Sequence, residues 1–441
     1  MTDRPMIPER GTGKDQLLAE LAAMKANDAD WRHGRTFSLV YNVSEEHEDL
    51  VKRAYGLYLA ENGLSPIAFP SLRKMETEVV AMTAAMLHGD ESVVGSMTSG
   101  GTESILMAMK AYREWARATK PQIANPEVIL PVSAHPAFEK AAHYLGLTNV
   151  HIPVGDDFRA DVAAARDAIT LNTILIVGSA PGYPAGVIDP IGDLAALAAE
   201  RGLGMHVDAC LGGFCLPWVR QLGYPVADFD FAVPGVTSIS ADVHKYGYAA
   251  KGASTILYRD AELRRHMFYA YTEWPGGLYG TPTMTGARPG GAIAAAWAAM
   301  RGLGREGYLA LAKRIMDARE RIFEGFATIP GIEILGTPAM GVFAFRHAGG
   351  GEFAIAEAMD ERGWKLDRQQ NPTALHMMLS PAHLDFVDEF LADLRACVAL
   401  VEAEPARVTD GAAAMYGAMA TMPDRGVVGD FVLDFLDGVW R

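Results

Sequence analysis

Short apolar runs recur at 128–132, 150–154, 173–177, 204–207, 236–240 and 254–258, and stretches with helical periodicity separate several of them, at 137–144, 161–168 and up to Arg201. Strands buried on both faces read as near-continuous apolar runs, and parallel strands need crossovers, usually helical, to join them. The alternation therefore predicts a mostly parallel sheet covered on both sides. Such a sheet binds its ligands in the loops at the carboxyl ends of its strands. Any chemistry is to be sought just after each run.

The regular pattern starts at Met75 with a helix to about His88, a Gly-rich turn at 96–102 and an amphipathic helix at 103–116. That helix has Ile105, Met109 and Tyr112 on one stripe. Upstream, the residues to about Asp15 carry Pro, Gly and charge without periodicity and predict a loose arm. A helical pattern follows, 37–42 reads as a loop, and Glu45, Glu46 and Glu48 after Ser44 favour a helix start. Downstream, a helical stretch at 290–327 leads away to runs at 332–335 and 342–345 and helices at 355–362 and 385–402. The predicted division is an arm and helix over 1–55, a large α/β domain over 56–295 and a smaller C-terminal α/β domain over 296–441.

Acidic residues outnumber basic ones, 54 to 39, for a formal charge of −15 over 441 residues. Nucleic-acid binding needs a basic surface and is not expected. A local cluster of cations can still take an anionic ligand. The three cysteines, Cys210, Cys215 and Cys397, have neither disulfide-framework numbers nor zinc-ribbon spacing. They read as small buried apolar groups, and no metal site is expected. Residues 1–17 contain no apolar signal segment, and no stretch reaches the roughly 18–20 apolar residues a bilayer crossing needs. The expectation is a soluble, cytoplasmic protein with no transmembrane segment.

Four loops carry candidate chemistry. The segment Ser240-Ala-Asp-Val-His-Lys-Tyr-Gly-Tyr-Ala-Ala-Lys-Gly ends an apolar run and places Lys245 directly after His244. A lysine that attacks a carbonyl must be desolvated or set near another cation so that its amine is neutral often enough. His206-Val-Asp208 ends another run, and a buried carboxylate there can keep the pyridine nitrogen of pyridoxal 5′-phosphate (PLP) protonated. Thr98-Ser-Gly-Gly-Thr-Glu-Ser opens a helix, and its free N–H groups and dipole suit a phosphate. It has neither the P-loop ending nor the dinucleotide spacing. His135 follows the run at 128–132, where a flat ring can stack on a pyridine. Singly, each has a plain structural explanation; four on loops of one sheet point to a PLP site.

These residues resemble the group II PLP-dependent decarboxylases, of fold type I, and among them the subgroup of sphingosine-1-phosphate lyases. The resemblance rests on Ser99-Gly-Gly-Thr-Glu-Ser-Ile, Ala134-His-Pro-Ala-Phe-Glu-Lys, Gly182-Tyr-Pro-Ala-Gly, Val207-Asp-Ala-Cys-Leu-Gly-Gly-Phe and above all His244-Lys-Tyr-Gly-Tyr-Ala-Ala-Lys-Gly. It implies PLP held as a Schiff base on Lys245, Asp208 at the pyridine nitrogen, His135 on the ring, and Gly101, Thr102 and His244 around the cofactor phosphate. It further implies that Lys251 meets a substrate phosphate, with Tyr248 close by, and that Tyr183 lies near the reacting carbons. Tyr41, Asn62 and Tyr279 match positions that such enzymes donate across a homodimer interface. The implied reaction is retro-aldol cleavage of the Cα–Cβ bond of a phosphorylated sphingoid base to a fatty aldehyde and phosphoethanolamine. An amino-acid decarboxylase on the same scaffold is the rival reading, and a non-catalytic PLP-binding homologue a third.

Two positions depart from the pattern. Ser65 stands where the family usually has an active-site histidine, and serine cannot match that residue's proton-transfer range near neutral pH. Ala287 stands where a phosphate-contacting serine is usual, which removes a charge-assisted hydrogen bond typically worth about 1.5–3 kcal/mol.

Overall fold

The computed structural model describes residues 6–41, 43–408 and 417–440. The first five residues of the predicted arm, and Asn42 of the predicted 37–42 loop, lie outside the described residues.

Seven strands form the main sheet: β1 (Val94–Thr98), β2 (Glu127–Pro131), β3 (Thr148–Ile152), β4 (Thr173–Ser179), β5 (Gly204–Asp208), β6 (Ser238–Ala241) and β7 (Ser254–Tyr258). Their order is β1-β7-β6-β5-β4-β2-β3. Strands β3, β2, β4, β5 and β6 are mutually parallel, and β7 runs against both of its neighbours. Every residue of β4, β5, β6 and β7 is buried, as expected of strands covered on both faces. The pleat sorts the side chains between two covers. Val128, Leu130, Leu175, Val177, Ile256 and Tyr258 pack with helices Gly101–Thr119 and Ala137–Leu145. Ile129, Ile176 and Leu257 face the opposite way, with Leu194 and Ala198 of helix Ile191–Glu200 and Val79 of helix Pro70–Met86.

Sequence reading missed β1, taking 96–102 as a turn. Val94–Thr98 is a strand whose Gly95 and Ser96 mask its character, and Gly95 is needed because an added Cβ would sit 2.3 Å from the Ile256 carbonyl oxygen. A hairpin of β8 (Tyr269–Tyr271) and β9 (Tyr279–Thr281) follows the main sheet.

Helix Gly290–Phe326, broken at Gly304 (φ 57°, ψ −174°), leads to the second sheet. That sheet joins β10 (Ile332–Ile334), β11 (Val342–His347), β12 (Asp367–Gln369) and β13 (Ala374–Met378) in the antiparallel order β10-β11-β13-β12. The last two strands carried no clear periodic signal. Helices Glu352–Glu361 and Val387–Ala403 cover it.

The predicted unit 1–55 does not stand apart. Thr36 bridges Lys365, the Phe37 N–H donates to the Lys365 carbonyl, and the Met378 N–H donates to the Phe37 carbonyl. The Phe37 ring lies 4.5 Å from His383 and 4.9 Å from Phe390, inside the small domain's core. Helix Glu45–Leu57, capped by Ser44 accepting from the His47 N–H, packs on helix Gly290–Phe326.

Candidate functional site

The loops that leave the carboxyl ends of β1, β2, β4, β5 and β6 converge on two adjoining cavities of about 340 and 330 Å³. His135, Asp208, Cys210 and Lys245 line both. One cavity continues to Ser99, Gly100, Gly101, Thr102 and His244, the other to Tyr41, Tyr183, Lys251 and Met378. Sequence reading named most of this constellation, and the fold brings it together.

At the first end, helix Gly101–Thr119 starts without a side-chain cap, so its leading N–H groups remain available to an anion. Only glycine fits here: a Cβ on Gly101 would lie 2.8 Å from the Asp242 Oδ2 and 2.9 Å from the Cys210 Sγ. Glu103 braces the turn from beneath, accepting from the Ser99 N–H at 2.7 Å and the Met284 N–H at 3.0 Å. The His135 Nδ1 accepts from the Ala137 N–H at 3.1 Å, which fixes the ring's orientation.

In the middle, the Asp208 Oδ1 accepts from the Cys210 N–H at 3.0 Å and the Ser240 hydroxyl at 3.3 Å. Beside it His206 is fully buried, and desolvation pushes its imidazole down to about 4, so it is neutral. Cys210, read from sequence as mere packing, has its Sγ 3.3 Å from the Ser240 Oγ, and burial pushes its thiol well above the ordinary range.

Lys245 corrects an expectation. Burial pulls its ammonium down, but the carboxylate of Asp242, 3.0 Å from Nζ, together with Cys210, Tyr41 and Asp208, outweighs that and the lysine is held above its ordinary range. The same contact holds Asp242 below its ordinary range against the opposing effect of burial, with His244 contributing from 3.7 Å. Burial takes His244 itself to about 4. Asp242 was printed in the motif, yet sequence reading passed over it.

At the far end, Tyr248 takes a left-handed backbone (φ 57°), and the chain returns Lys251 to the cavity. The Lys251 Nζ lies 4.9 Å over the Tyr41 ring and 3.5 Å from the His244 carbonyl oxygen, and burial lowers its pKa, with Lys245 adding to the effect. The Tyr183 hydroxyl donates to the Asp367 Oδ2 at 2.9 Å, and its ring stacks on His376 at 3.9 Å. Asp367, His376 and Met378 come from the small domain, and nothing in the sequence signalled them.

The remaining expected residues lie elsewhere in this chain. The Tyr248 ring is buried in the core, edge-on to Tyr246 and beside Tyr308, and does not line the cavity. Tyr41, expected to reach a partner's site, lines the cavity of its own chain, because the Phe37 ladder carries it there. The Asn62 Oδ1 accepts from the Leu64 N–H, and Ser65 lines a separate groove of about 670 Å³ with Phe69, Arg73 and Arg288. Tyr279 packs against Tyr269 and Trp274 in the hairpin. Ala287 is exposed and outside both cavities. Among the described residues no cluster could hold a metal ion, and no helix is long and apolar enough to cross a membrane.

Residues 7–348 match the family described as pyridoxal-dependent decarboxylase conserved domain. The chain is 46% identical to sphingosine-1-phosphate lyase of Arabidopsis thaliana, over 98% of this chain and 80% of the relative. It is 34% identical to the probable sphingosine-1-phosphate lyase of Legionella pneumophila subsp. pneumophila, over 96% and 75%. The solved sphingosine-1-phosphate lyase of Burkholderia pseudomallei superposes with a TM-score of 0.86 at 44% identity, covering 90% of this chain and 92% of that one. Glutamate decarboxylase of Lactobacillus brevis shares the fold, with a TM-score of 0.78 at 18% identity over 90% of this chain and 95% of that one.

The chain belongs to the pyridoxal-dependent decarboxylase family and has its fold type I architecture. Within that family it falls in the sphingosine-1-phosphate lyase branch. Its cofactor is pyridoxal 5′-phosphate, and the residues present fit that group. The uncapped helix start and its glycine cradle suit a phosphate, the buried Asp208 suits a protonated pyridine, and Lys245 suits an aldehyde.

Proposed function

We propose that this protein is a PLP-dependent carbon–carbon lyase that cleaves the Cα–Cβ bond of phosphorylated sphingoid bases, releasing a fatty aldehyde and phosphoethanolamine. The observation that carries the reading is the line of cations and rings through one pair of cavities: the helix start and His244 at one end, Lys245, Asp208 and His135 in the middle, Lys251 with Tyr183 and Tyr41 at the other. When bound, PLP supplies an electron sink for the carbanion left by bond cleavage.

The chain's own residues do the rest. Lys245 would hold the cofactor through its aldehyde, Asp208 would keep the pyridine nitrogen protonated, and His135 would face the ring. Gly101, Thr102 and His244 would hold the cofactor phosphate. Lys251, at the mouth beside Tyr41, takes the substrate's phosphate, so binding energy remote from the reacting bond orients that bond. In this reading the substrate's C3 hydroxyl donates to the Tyr183 oxygen, whose own proton goes to Asp367. The phenol is raised by burial, with Asp367 adding to the effect, so it is not ionised.

The domain division at 55 and 295 is kept in this reading, with the first unit bound to both others. Asn62, Ser65 and Tyr279, which lie outside this chain's cavity, serve a homodimer in which each protomer's hairpin and 62–65 loop reach the partner's substrate. A cytoplasmic location is part of this proposal.

The test is to incubate the PLP-loaded protein with dihydrosphingosine 1-phosphate and look by mass spectrometry for hexadecanal and phosphoethanolamine. Both products, lost in Lys245→Ala, support the reading. Carbon dioxide release from amino acids, with no aldehyde from the sphingoid base, would replace it with a decarboxylase.

A further inference from the structure

Asp242 is a buried residue of the site that the mechanism above leaves unused. It directly follows β6, is 1% exposed, and lies 3.0 Å from the Lys245 Nζ and 3.7 Å from the His244 Nε2. Its Oδ1 is buried with no hydrogen-bond partner. Both oxygens press against the first residue of the helix, since a Cβ on Gly101 would meet them at 2.8 and 3.0 Å. The other titratable groups coupled to it are Cys210 from the loop after β5, Tyr41 from the N-terminal segment and Lys251. Burial keeps His244 neutral, so only the lysines among these are cations, and Lys245 is the nearest. A buried carboxylate is costly unless a cation answers it. This one has such a cation in the very lysine that the reaction must detach from the cofactor.

We propose that Asp242 is the counter-ion that receives Lys245 whenever a substrate amine takes that lysine's place on the cofactor, which makes it a positioning residue. The inference rests on the assignment of Lys245 as the cofactor-bearing lysine. In the exchange, the substrate nitrogen forms the C=N link to the cofactor's aldehyde carbon as the link to Nζ breaks. The three protons of the incoming ammonium end on Nζ, so charge and atoms balance and the lysine leaves as an ammonium. Beside Asp242 that ammonium is stabilised and cannot attack the carbon again. Without the carboxylate the released lysine would lose its proton more readily and compete for the cofactor.

The test uses holoenzyme and phosphoethanolamine, an amine that can displace Lys245 but has no bond to cleave, with the change in visible absorbance as readout. For Asp242→Asn the apparent Kd for the amine should rise by about ten-fold or more, the equivalent of one pKa unit on the lysine, and Asp242→Glu should recover most of it. An unchanged Kd in Asp242→Asn would overturn the proposal, as would equal damage in the Asn and Glu variants. A second measurement needs no variant. In native enzyme saturated with phosphoethanolamine, acetylation of Lys245 by acetic anhydride is followed against pH by mass spectrometry. Half-reaction above the ordinary lysine pKa of about 10.4 supports a paired ammonium, and half-reaction at or below it sinks the idea. If phosphoethanolamine leaves the native spectrum unmoved and Lys245→Ala keeps its visible band, the lysine assignment itself fails and takes the inference with it.

Discussion

At the scale of single residues, the two lysines of the His244-Lys-Tyr-Gly-Tyr-Ala-Ala-Lys segment sit at different depths, so the jobs proposed for them can be tested separately. Lys245 is paired to a buried carboxylate between both cavities, whereas Lys251 stands at the outer one only. Lys245→Ala should abolish the visible absorbance of the bound cofactor, measured after gel filtration to remove free PLP; a surviving band would take Lys245 out of its role. Lys251→Ala should raise KM for a phosphorylated sphingoid base by about ten-fold or more while leaving cofactor affinity within about three-fold, the pattern of lost remote binding. Equal losses in both would argue against a contact to the substrate's phosphate.

At the scale of elements, the cradle is a helix start that tolerates no side chain. Gly101→Ala places a Cβ within 3 Å of Asp242 and Cys210, so PLP affinity should fall by about ten- to a hundred-fold, roughly 1.4–2.8 kcal/mol. Gly192→Ala is the matched comparison: it lies in helix Ile191–Glu200 with open space around it and should raise denaturant resistance by about 0.5–1 kcal/mol. An absorbance titration with PLP and a urea melt of each variant decide both points. The elements that sequence reading found are those whose local chemistry is complete in a few residues. The βα alternation, the Gly-Gly turn, Asp208 and Lys245 each sit at the end of an apolar run, where the pleat forces both faces into the core. Strand β1 escaped because Gly95 and Ser96 interrupt its pattern, and Gly95 is there because β7 passes too close for a side chain. Asp367 and His376 escaped for a different reason: they act on Tyr183 from strands nearly two hundred residues away, and no local pattern encodes a contact of that span.

At the scale of the whole molecule, several buried histidines tie stability to pH. Burial takes His206, His376 and His383 each to about 4, well below the range an unfolded histidine has. Between about pH 6.5 and 4 the unfolded chain binds protons at these positions that the folded chain refuses, so stability falls as pH falls through that window, by up to about 1.4 kcal/mol per pH unit per histidine. Urea midpoints measured from pH 7 to pH 5 should drop steadily, and replacing His383 by Gln should flatten the slope. Flat midpoints in the native protein would contradict the burial. The homodimer reading has its own test, in which an Asn62→Ala protomer and a Lys245→Ala protomer, each inactive alone, are mixed and refolded together. Recovered lyase activity shows sites shared between chains, and no recovery places each site within one chain.

Tyr183 hangs from the end of β4 in the large domain, yet its hydroxyl and ring are fastened to Asp367 and His376 of the other sheet. The two sheets therefore share a rivet in the wall of the cavity. A rotation of one against the other cannot occur without displacing the phenol, so under the proposed role of Tyr183 the angle between them is written into the geometry of bond cleavage. An Asp367→Ala change, behind the cavity wall, would act as a loosened joint: the substrate would still bind, and the turnover step would slacken.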